Sequence, residues 1–234
     1  EPLRDLRAAD LVAWGAPIEP RGAWLVLLAE GSCLVADRVE ANADALTFSS
    51  PLWGQRVLPL ERVEAVVARP PEDAPRRDRL LDGLRTAAEP GWRDRDRVVF
   101  PIGDYVLGTI RRLGPQGDEL ESDAGPLSIE PARVAAVAFH PALVDRSLGD
   151  GLRGGSELRA VVGLSDGSWL VVRRLIVRGG RAEVEPLVLR DLPPLAPPAP
   201  DNPAAAAEPA AVPQQAAAAE AADPPGRWSF PAQE

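Results

Sequence analysis

Short apolar runs interrupted by Gly, Asp or Ser turns recur along the first 190 residues of this chain. In one stretch Trp24-Leu25-Val26-Leu27-Leu28 is followed by Glu30-Gly31-Ser32 and then Cys33-Leu34-Val35. The same order returns as Val98-Val99-Phe100, Gly103-Asp104 and Tyr105-Val106-Leu107. It returns again as residues 158–164, Asp166-Gly167-Ser168 and Trp169-Leu170-Val171-Val172. Two β-rich runs joined by a Gly-containing turn predict an antiparallel hairpin, because Gly reaches the positive φ that a tight turn requires. After each hairpin the pattern predicts a second turn (Asn42 to Asp44, Gly114 to Asp118, Gly179-Gly180) and a further strand (residues 45–49, 119–122, 181–184).

A second element repeats without gaps 71 positions apart. Residues 58–70 align with residues 129–141, and Arg62/Arg133, Val63/Val134, Ala65/Ala136, Val66/Val137 and Pro70/Pro141 coincide. Each copy predicts a strand, a polar step with one turn of 3₁₀ helix, and a short closing strand (residues 65–67 and 136–138). Five short strands in so few residues predict a mainly β chain of tandem small SH3-like or Sm-like β-barrels. Between the first two units, residues 73–88 predict a helix. Asp73 is its cap, Pro75 lies in the first turn, and Leu80, Leu81 and Leu84 form a stripe that lies across a barrel edge, with Arg76, Arg77, Asp78 and Asp82 elsewhere.

The expected organisation is then as follows. Residues 1–20 carry the closing strand of a preceding unit, on the match of Leu6 to Trp14 with Leu60 to Ala68. Residues 21–71 are the first barrel, 72–92 the linker helix, 93–142 the second barrel and 143–155 a linker. Residues 156–190 are an incomplete third unit and 191–226 a Pro/Ala-rich extended or disordered insertion or linker. Residues 227–234 are either the terminal strand of the third unit or a tail. In residues 191–225 there are 10 Pro and 14 Ala, which removes backbone donors and offers little to bury.

Composition narrows the chemistry. All 26 cations are Arg, and the absence of Lys removes a Schiff base and a P-loop lysine. One Cys and one His cannot assemble a structural zinc site. His140, beside Pro141, has no Ser or Cys in a recognised nucleophile setting, and reads as a loop residue. Cys33 occupies the position held by Tyr105 and Trp169 in the other units and reads as a small apolar core residue. Asp104, Glu119, Glu121 and Asp123 are the acids that a glycosidase would need, yet acids at hairpin turns are ordinarily solvated. Asp118, Glu121 and Asp123 lack calcium-loop spacing. No catalytic, cofactor or metal residue is assigned. The Arg runs at 76–79 and 93–97 alternate with acids in a chain of net charge −9, which disfavours nucleic acid. No apolar run reaches membrane-spanning length. The aromatic residues Trp53, in a loop, and Tyr105 and Trp169, each directly after a hairpin turn, are the candidate recognition residues.

Leu11-Val12-Ala13-Trp14-Gly15-Ala16-Pro17, Glu30-Gly31-Ser32, Asp166-Gly167-Ser168-Trp169-Leu170 and Asp123-Ala124-Gly125-Pro126-Leu127 resemble a group of large planctomycete proteins of uncharacterised function. Those proteins are predicted to be exported, carry several such β-rich repeats and often end in an NPCBM-type carbohydrate-binding domain, which has no counterpart in this chain. The resemblance implies a periplasmic, envelope or extracellular setting and a non-enzymatic role. The expected function is therefore a binding or scaffolding component of a bacterial envelope assembly with protein partners. Two alternatives are a carbohydrate-associated accessory module of a larger envelope enzyme and an Sm-like nucleic-acid-binding protein.

Overall fold

The computed structural model describes residues 18–85, 92–145, 160–178, 181–187 and 228–231. The chain is mainly β, with antiparallel pairing throughout the described strands. Unit 1 comprises β1 (Trp24–Leu28), β2 (Cys33–Ala36), β3 (Arg38–Ala41), β4 (Ala45–Ser50), β5 (Gly54–Pro59), a 3₁₀ turn (Leu60–Arg62) and β6 (Val63–Ala68). Unit 2 repeats the path with β7 (Asp96–Val99), β8 (Tyr105–Arg112), β9 (Asp118–Ser122), β10 (Gly125–Ile129), a 3₁₀ turn (Pro131–Arg133) and β11 (Ala136–Ala138). Unit 3 comprises β12 (Ala160–Gly163), β13 (Trp169–Arg178), β14 (Arg181–Pro186) and β15 (Trp228–Pro231), the last paired with β14. The expected closing strand within residues 1–20 and the Pro/Ala-rich segment 191–226 lie outside the described residues.

Units 1 and 2 share one pairing scheme. The first strand takes the second on one side and the closing strand on the other, as β2–β1–β6 and β8–β7–β11. The second strand then bends and turns its far half to the next hairpin. In unit 2 the bend falls within β8, where the register shifts between Ile110 and Arg112. In unit 1 it divides β2 from β3 at Asp37, whose N–H still donates to the Ser49 carbonyl at 2.9 Å. Gly108 sits at the β8 bend because a Cβ there would meet the Glu121 carbonyl oxygen at 2.5 Å.

The units do not stand apart as separate closed barrels. Their edges pair, so that 12 strands form one sheet, with β3–β4–β5 as a further three-stranded sheet. Between units 1 and 2 the closing strands face each other as Ala136–Val67, Val137–Val66 and Ala138–Ala65. The repeat offset exchanges the two strands, so this seam is a local twofold through Val66 and Val137. Flanking bonds obey the same symmetry. Ala68 N–H donates to the Ala135 carbonyl at 2.8 Å, and Phe139 N–H to the Glu64 carbonyl at 3.0 Å. Arg69, at φ 48°, adds a clasp by donating to the carbonyls of Pro131 (3.3 Å), Ala132 (2.8 Å) and Val134 (2.8 Å).

A strand covered on both faces needs a continuous apolar run rather than an alternating one. β1 has it: Val26 and Leu28 enter the main core, Leu25 and Leu27 a second apolar layer on the opposite face. By contrast β4 alternates, burying Leu46, Phe48 and Ser50 more deeply than their neighbours. Helix α1 (Ala74–Arg85) covers the second layer, with Leu81 and Leu84 against Leu25, Leu27, Ala65, Val67, Ala136 and Ala138. It thus lies over the seam between units rather than across one barrel edge. Asp73 caps it as expected, its Oδ1 accepting the Arg76 N–H at 2.9 Å. Arg77, expected on the polar face, is buried instead, because its guanidinium donates to the Pro71 carbonyl at 3.1 Å and meets Glu19 at 2.5 Å.

The segment leading into β1 crosses the first turn of unit 3, where Arg21 N–H donates to the Asp166 carbonyl at 2.9 Å. Gly167, at φ +88°, lies beneath the crossing, and a Cβ on it would stand 2.5 Å from Pro20 Cα. Its counterpart Gly103, at φ +96°, faces open space. Gly103→Ala is therefore expected to cost only backbone strain, roughly 1–2 kcal/mol. Gly167→Ala carries the same strain plus displacement of Pro20, and thermal unfolding of the two variants should show the larger loss for Gly167→Ala.

Candidate functional site

The three opening hairpins are built alike. Leu28 N–H donates to the Ser32 carbonyl at 2.9 Å, Phe100 N–H to Asp104 at 2.8 Å and Leu164 N–H to Ser168 at 2.8 Å. At the third position of each turn stands a Gly with positive φ: Gly31 (103°), Gly103 (96°) and Gly167 (88°). Ser32, Asp104 and Ser168 are thus equivalent, as are Cys33, Tyr105 and Trp169.

In units 1 and 3 these hairpins bury each other. Cys33 faces Trp169 across the β2–β13 contact. The Val35 N–H donates to Ser168 Oγ at 2.8 Å, and the Val171 N–H donates to Ser32 Oγ at 2.9 Å. Those bonds exchange under the equivalence just given, so the second seam is also a local twofold, centred on Cys33 and Trp169. A Ser hydroxyl can accept while donating elsewhere. Ser168 Oγ does so, donating to Asp166 Oδ2 at 2.9 Å, while Asp166 Oδ1 accepts the Ser168 N–H at 2.8 Å. The indole Nε1 of Trp169 donates to the Gly31 carbonyl at 3.0 Å, closing the seam from the side.

Unit 2 presents the same edge without a described strand against it. Residues Pro101, Ile102, Gly103, Asp104 and Tyr105 are all exposed, whereas Glu30, Ser32, Cys33, Gly167 and Ser168 are buried. Ile102 is 85% exposed at the place where units 1 and 3 carry Glu30 and Asp166. Tyr105, 44% exposed, stands over the Arg97 guanidinium with its ring centroid 5.9 Å away. Arg97 itself lies 4.0 Å from the Trp92 ring centroid and donates to the Gly83 carbonyl of α1 at 2.6 Å. The hairpin tip is mounted on an immobilised cation packed between aromatic rings.

The other sequence candidates fall elsewhere. Trp53 is corrected from a surface ring to a core one: it is 2% exposed and packs in the main cluster beneath β3–β5, its backbone N–H donating to Ser50 Oγ at 3.1 Å. Trp169 is half-buried and serves the internal seam. Of the three aromatic candidates, Tyr105 alone presents an exposed side chain. His140 sits in a loop, its N–H donating to Asp96 Oδ1 at 2.9 Å and its Nδ1 accepting the Leu143 N–H at 3.1 Å. Cys33 is fully buried, and burial pushes its thiol up to about 12. Three of the four carboxylates weighed for hydrolysis meet arginines, Glu119 with Arg112 at 2.6 Å, Glu121 with Arg111 at 2.6 Å and Asp123 with Arg95 at 2.5 Å, while Asp104 is exposed at its turn. Asp118 is buried, with its acidity weakened by desolvation and its Oδ1 accepting the Gly114 N–H at 3.0 Å. An open cleft of about 340 Å³ between units 1 and 2, flanked by Glu40, Thr47 and Arg112, has no buried acid or base at its rim. No signal in a single unit distinguishes the exposed hairpin; comparing the three turns does, since Ile102 and Asp104 break the acid-Gly-Ser pattern shared by the other two.

Comparison with protein-family models, curated proteins and solved structures returned no match, so the reading of this site rests on its geometry.

Ser32→Ala and Ser168→Ala each leave a buried N–H without its acceptor and are expected to cost roughly 1–3 kcal/mol in urea unfolding. The exposed counterpart Asp104→Ala should stay within about 0.5 kcal/mol of the parent chain.

Glu30, buried in the first turn, is pushed up to about 6 by desolvation, against a Ser32 hydrogen bond and the charges of Arg62 and Arg85. A carboxyl raised on folding favours the folded state below its unfolded value and loses that contribution as pH climbs through the folded value. Stability should therefore fall between about pH 4.5 and 6. Glu30→Gln is expected to remove that slope and to raise neutral-pH stability by about 2 kcal/mol, as read by denaturation across the window.

Proposed function

We propose that the chain is a non-catalytic scaffold whose unit 2 hairpin edge, around Ile102, Asp104 and Tyr105, docks an edge strand of a protein partner. A meander whose first strand is clasped by a closing strand after a 3₁₀ turn is the path of SH3-like barrels, and we read the units in those terms. The observation that carries the functional reading is the contrast among equivalent turns. Two of them are buried by strand-edge pairing with hydroxyl acceptors, whereas Pro101, Ile102, Gly103, Asp104 and Tyr105 of the third are exposed. Exposed strand edges pair readily with another chain, and main-chain bonds supply affinity in that mode. The envelope or extracellular setting is part of this proposal and is supported by the planctomycete resemblance.

Hydrogen exchange and a peptide test the reading together. In the dilute chain the amide of Leu107 should exchange much faster than those of Val35 and Val171. A cyclised peptide with the sequence of residues 160–172, the hairpin that docks on unit 1, should bind and slow exchange at residues 105–107. Slow exchange there in the peptide-free dilute chain, or binding that leaves those amides unprotected, would overturn the proposal.

A further inference from the structure

The seam between units 1 and 3 is wired to a buried carboxyl. Val171 N–H donates to Ser32 Oγ at 2.9 Å, and the Ser32 hydroxyl hydrogen-bonds the Glu30 carboxyl in turn. The counterpart in unit 3 runs from Val35 N–H through Ser168 Oγ to Asp166 Oδ2. Each strand therefore docks on a hydroxyl held by an acid, but the two acids have unlike surroundings. Asp166 is half-buried, and both its oxygens accept bonds from Ser168. Glu30 is 1% exposed, and among the described residues its Oε2 has no hydrogen-bond partner. The charges that face it are Arg62 of the 3₁₀ turn and Arg85 at the end of α1. Both cations are shared with other acids, Arg62 lying 3.9 Å from Glu61 and Arg85 3.4 Å from Glu64. The contact from unit 3 is uncharged, the Val171 N–H that reaches Ser32. A carboxylate so placed is costly, and either a proton or water relieves the cost.

We infer that Glu30 makes the unit 1–unit 3 seam a proton-operated clasp, closed while its carboxyl is neutral and loosened when it ionises. The seam is the weakest boundary of the turn that carries Glu30. On the other side β1 pairs with β6 over five facing residues, whereas β2 and β13 share the single pair Cys33–Trp169 and three side-chain bonds. The least costly way to admit water is to lift unit 3 away, which uncovers Gly31, whose carbonyl accepts the Trp169 indole N–H at 3.0 Å. Burial pushes the carboxyl up to about 6 from an ordinary 4.5, and opening returns it towards the ordinary value. The closed seam thus holds the proton more tightly. Closure is favoured in full below about pH 4.5 and loses that contribution as pH climbs through about 6, a difference of about 30-fold in the opening equilibrium. Loosening offers the Val35 and Val171 N–H groups to an incoming strand. The clasp is independent of the docking role proposed for unit 2.

Cys33 reports on the clasp directly, being the single cysteine of the chain, fully buried and seated on the seam opposite Trp169. The native chain is labelled with a neutral pyridyl disulfide from about pH 4 to about pH 7.5, and each rate is divided by that of an unstructured cysteine peptide at the same pH, which cancels the chemistry of the thiolate. The normalised rate is expected to rise about 30-fold across this range. Its dependence on low urea should stay well below that of global unfolding, as befits a local opening. Glu30→Gln should hold the slow acid rate at every pH, and Asp166→Asn should keep the rise. A flat profile in the parent chain overturns the clasp, and this needs no variant to fold. So does a rise that survives in Glu30→Gln. A rise carrying the full urea dependence of global unfolding at every pH also overturns it, since Glu30 would then act on the fold as a whole and not on the seam.

Discussion

Every seam in this protein answers one constraint: a backbone N–H or carbonyl taken out of water must meet a partner, and a strand edge carries a row of both. A unit of five or six short strands cannot cover its own first hairpin and its own closing strand at once. Unit 1 meets the requirement by pairing twice, through β6 with unit 2 and through β2 with unit 3. The apolar content follows from that position. β1, β2 and β6 are buried on both faces nearly throughout, and α1 with Trp92 lies over the outer one. Both edges of unit 1 are filled, and its neighbours are held by strand pairing together with apolar clusters that span the units.

Charge is handled by the same rule. Asp96 is buried, and desolvation weakens its acidity, yet its two oxygens accept the N–H groups of Ile110 and His140 at 2.7 and 2.9 Å. It ties β7 to the bend of β8 and to the exit of β11, so a costly buried carboxyl fixes the path of three strands. Asp118 does comparable work at the turn into β9. On the exposed sheet formed by β8 and β9, acids and arginines face one another across the strands, which keeps a surface dense in charge free of a strong local field.

Much of the architecture was legible in the order of residues. Hairpins announced by Gly31, Gly103 and Gly167 form as read, and so do the 3₁₀ turn and closing strand that follow Leu58 and Ile129, because turn chemistry and β-branched runs act over a few neighbours. The bend at Asp37 was not visible, since a strand that turns from one neighbour to another keeps its alternation and only its hydrogen-bond partners change. The pairing between units was equally hidden. Ala65-Val66-Val67 and Ala136-Val137-Ala138 read as strands of two barrels, and nothing local says that one will lie against the other. Arg77 misled because a long side chain can bury its stem and satisfy its head on backbone carbonyls. Of the three aromatics singled out, loop position was a poor guide for Trp53, which turns inward. Position after a turn found both Trp169 and Tyr105 without revealing that one is half-buried in a seam and the other exposed.

The twofold character of both seams bears on ancestry and on growth. A lone ancestral unit with both edges bare would have added copies alternately through its closing strand and its hairpin, building an open-ended ribbon. Fusing units end to end in one polypeptide converts those encounters into fixed neighbours, and each fusion removes one site of runaway polymerisation. The symmetric β6–β11 contact about Val66 and Val137 thus has the geometry of a homodimer seam held within one polypeptide.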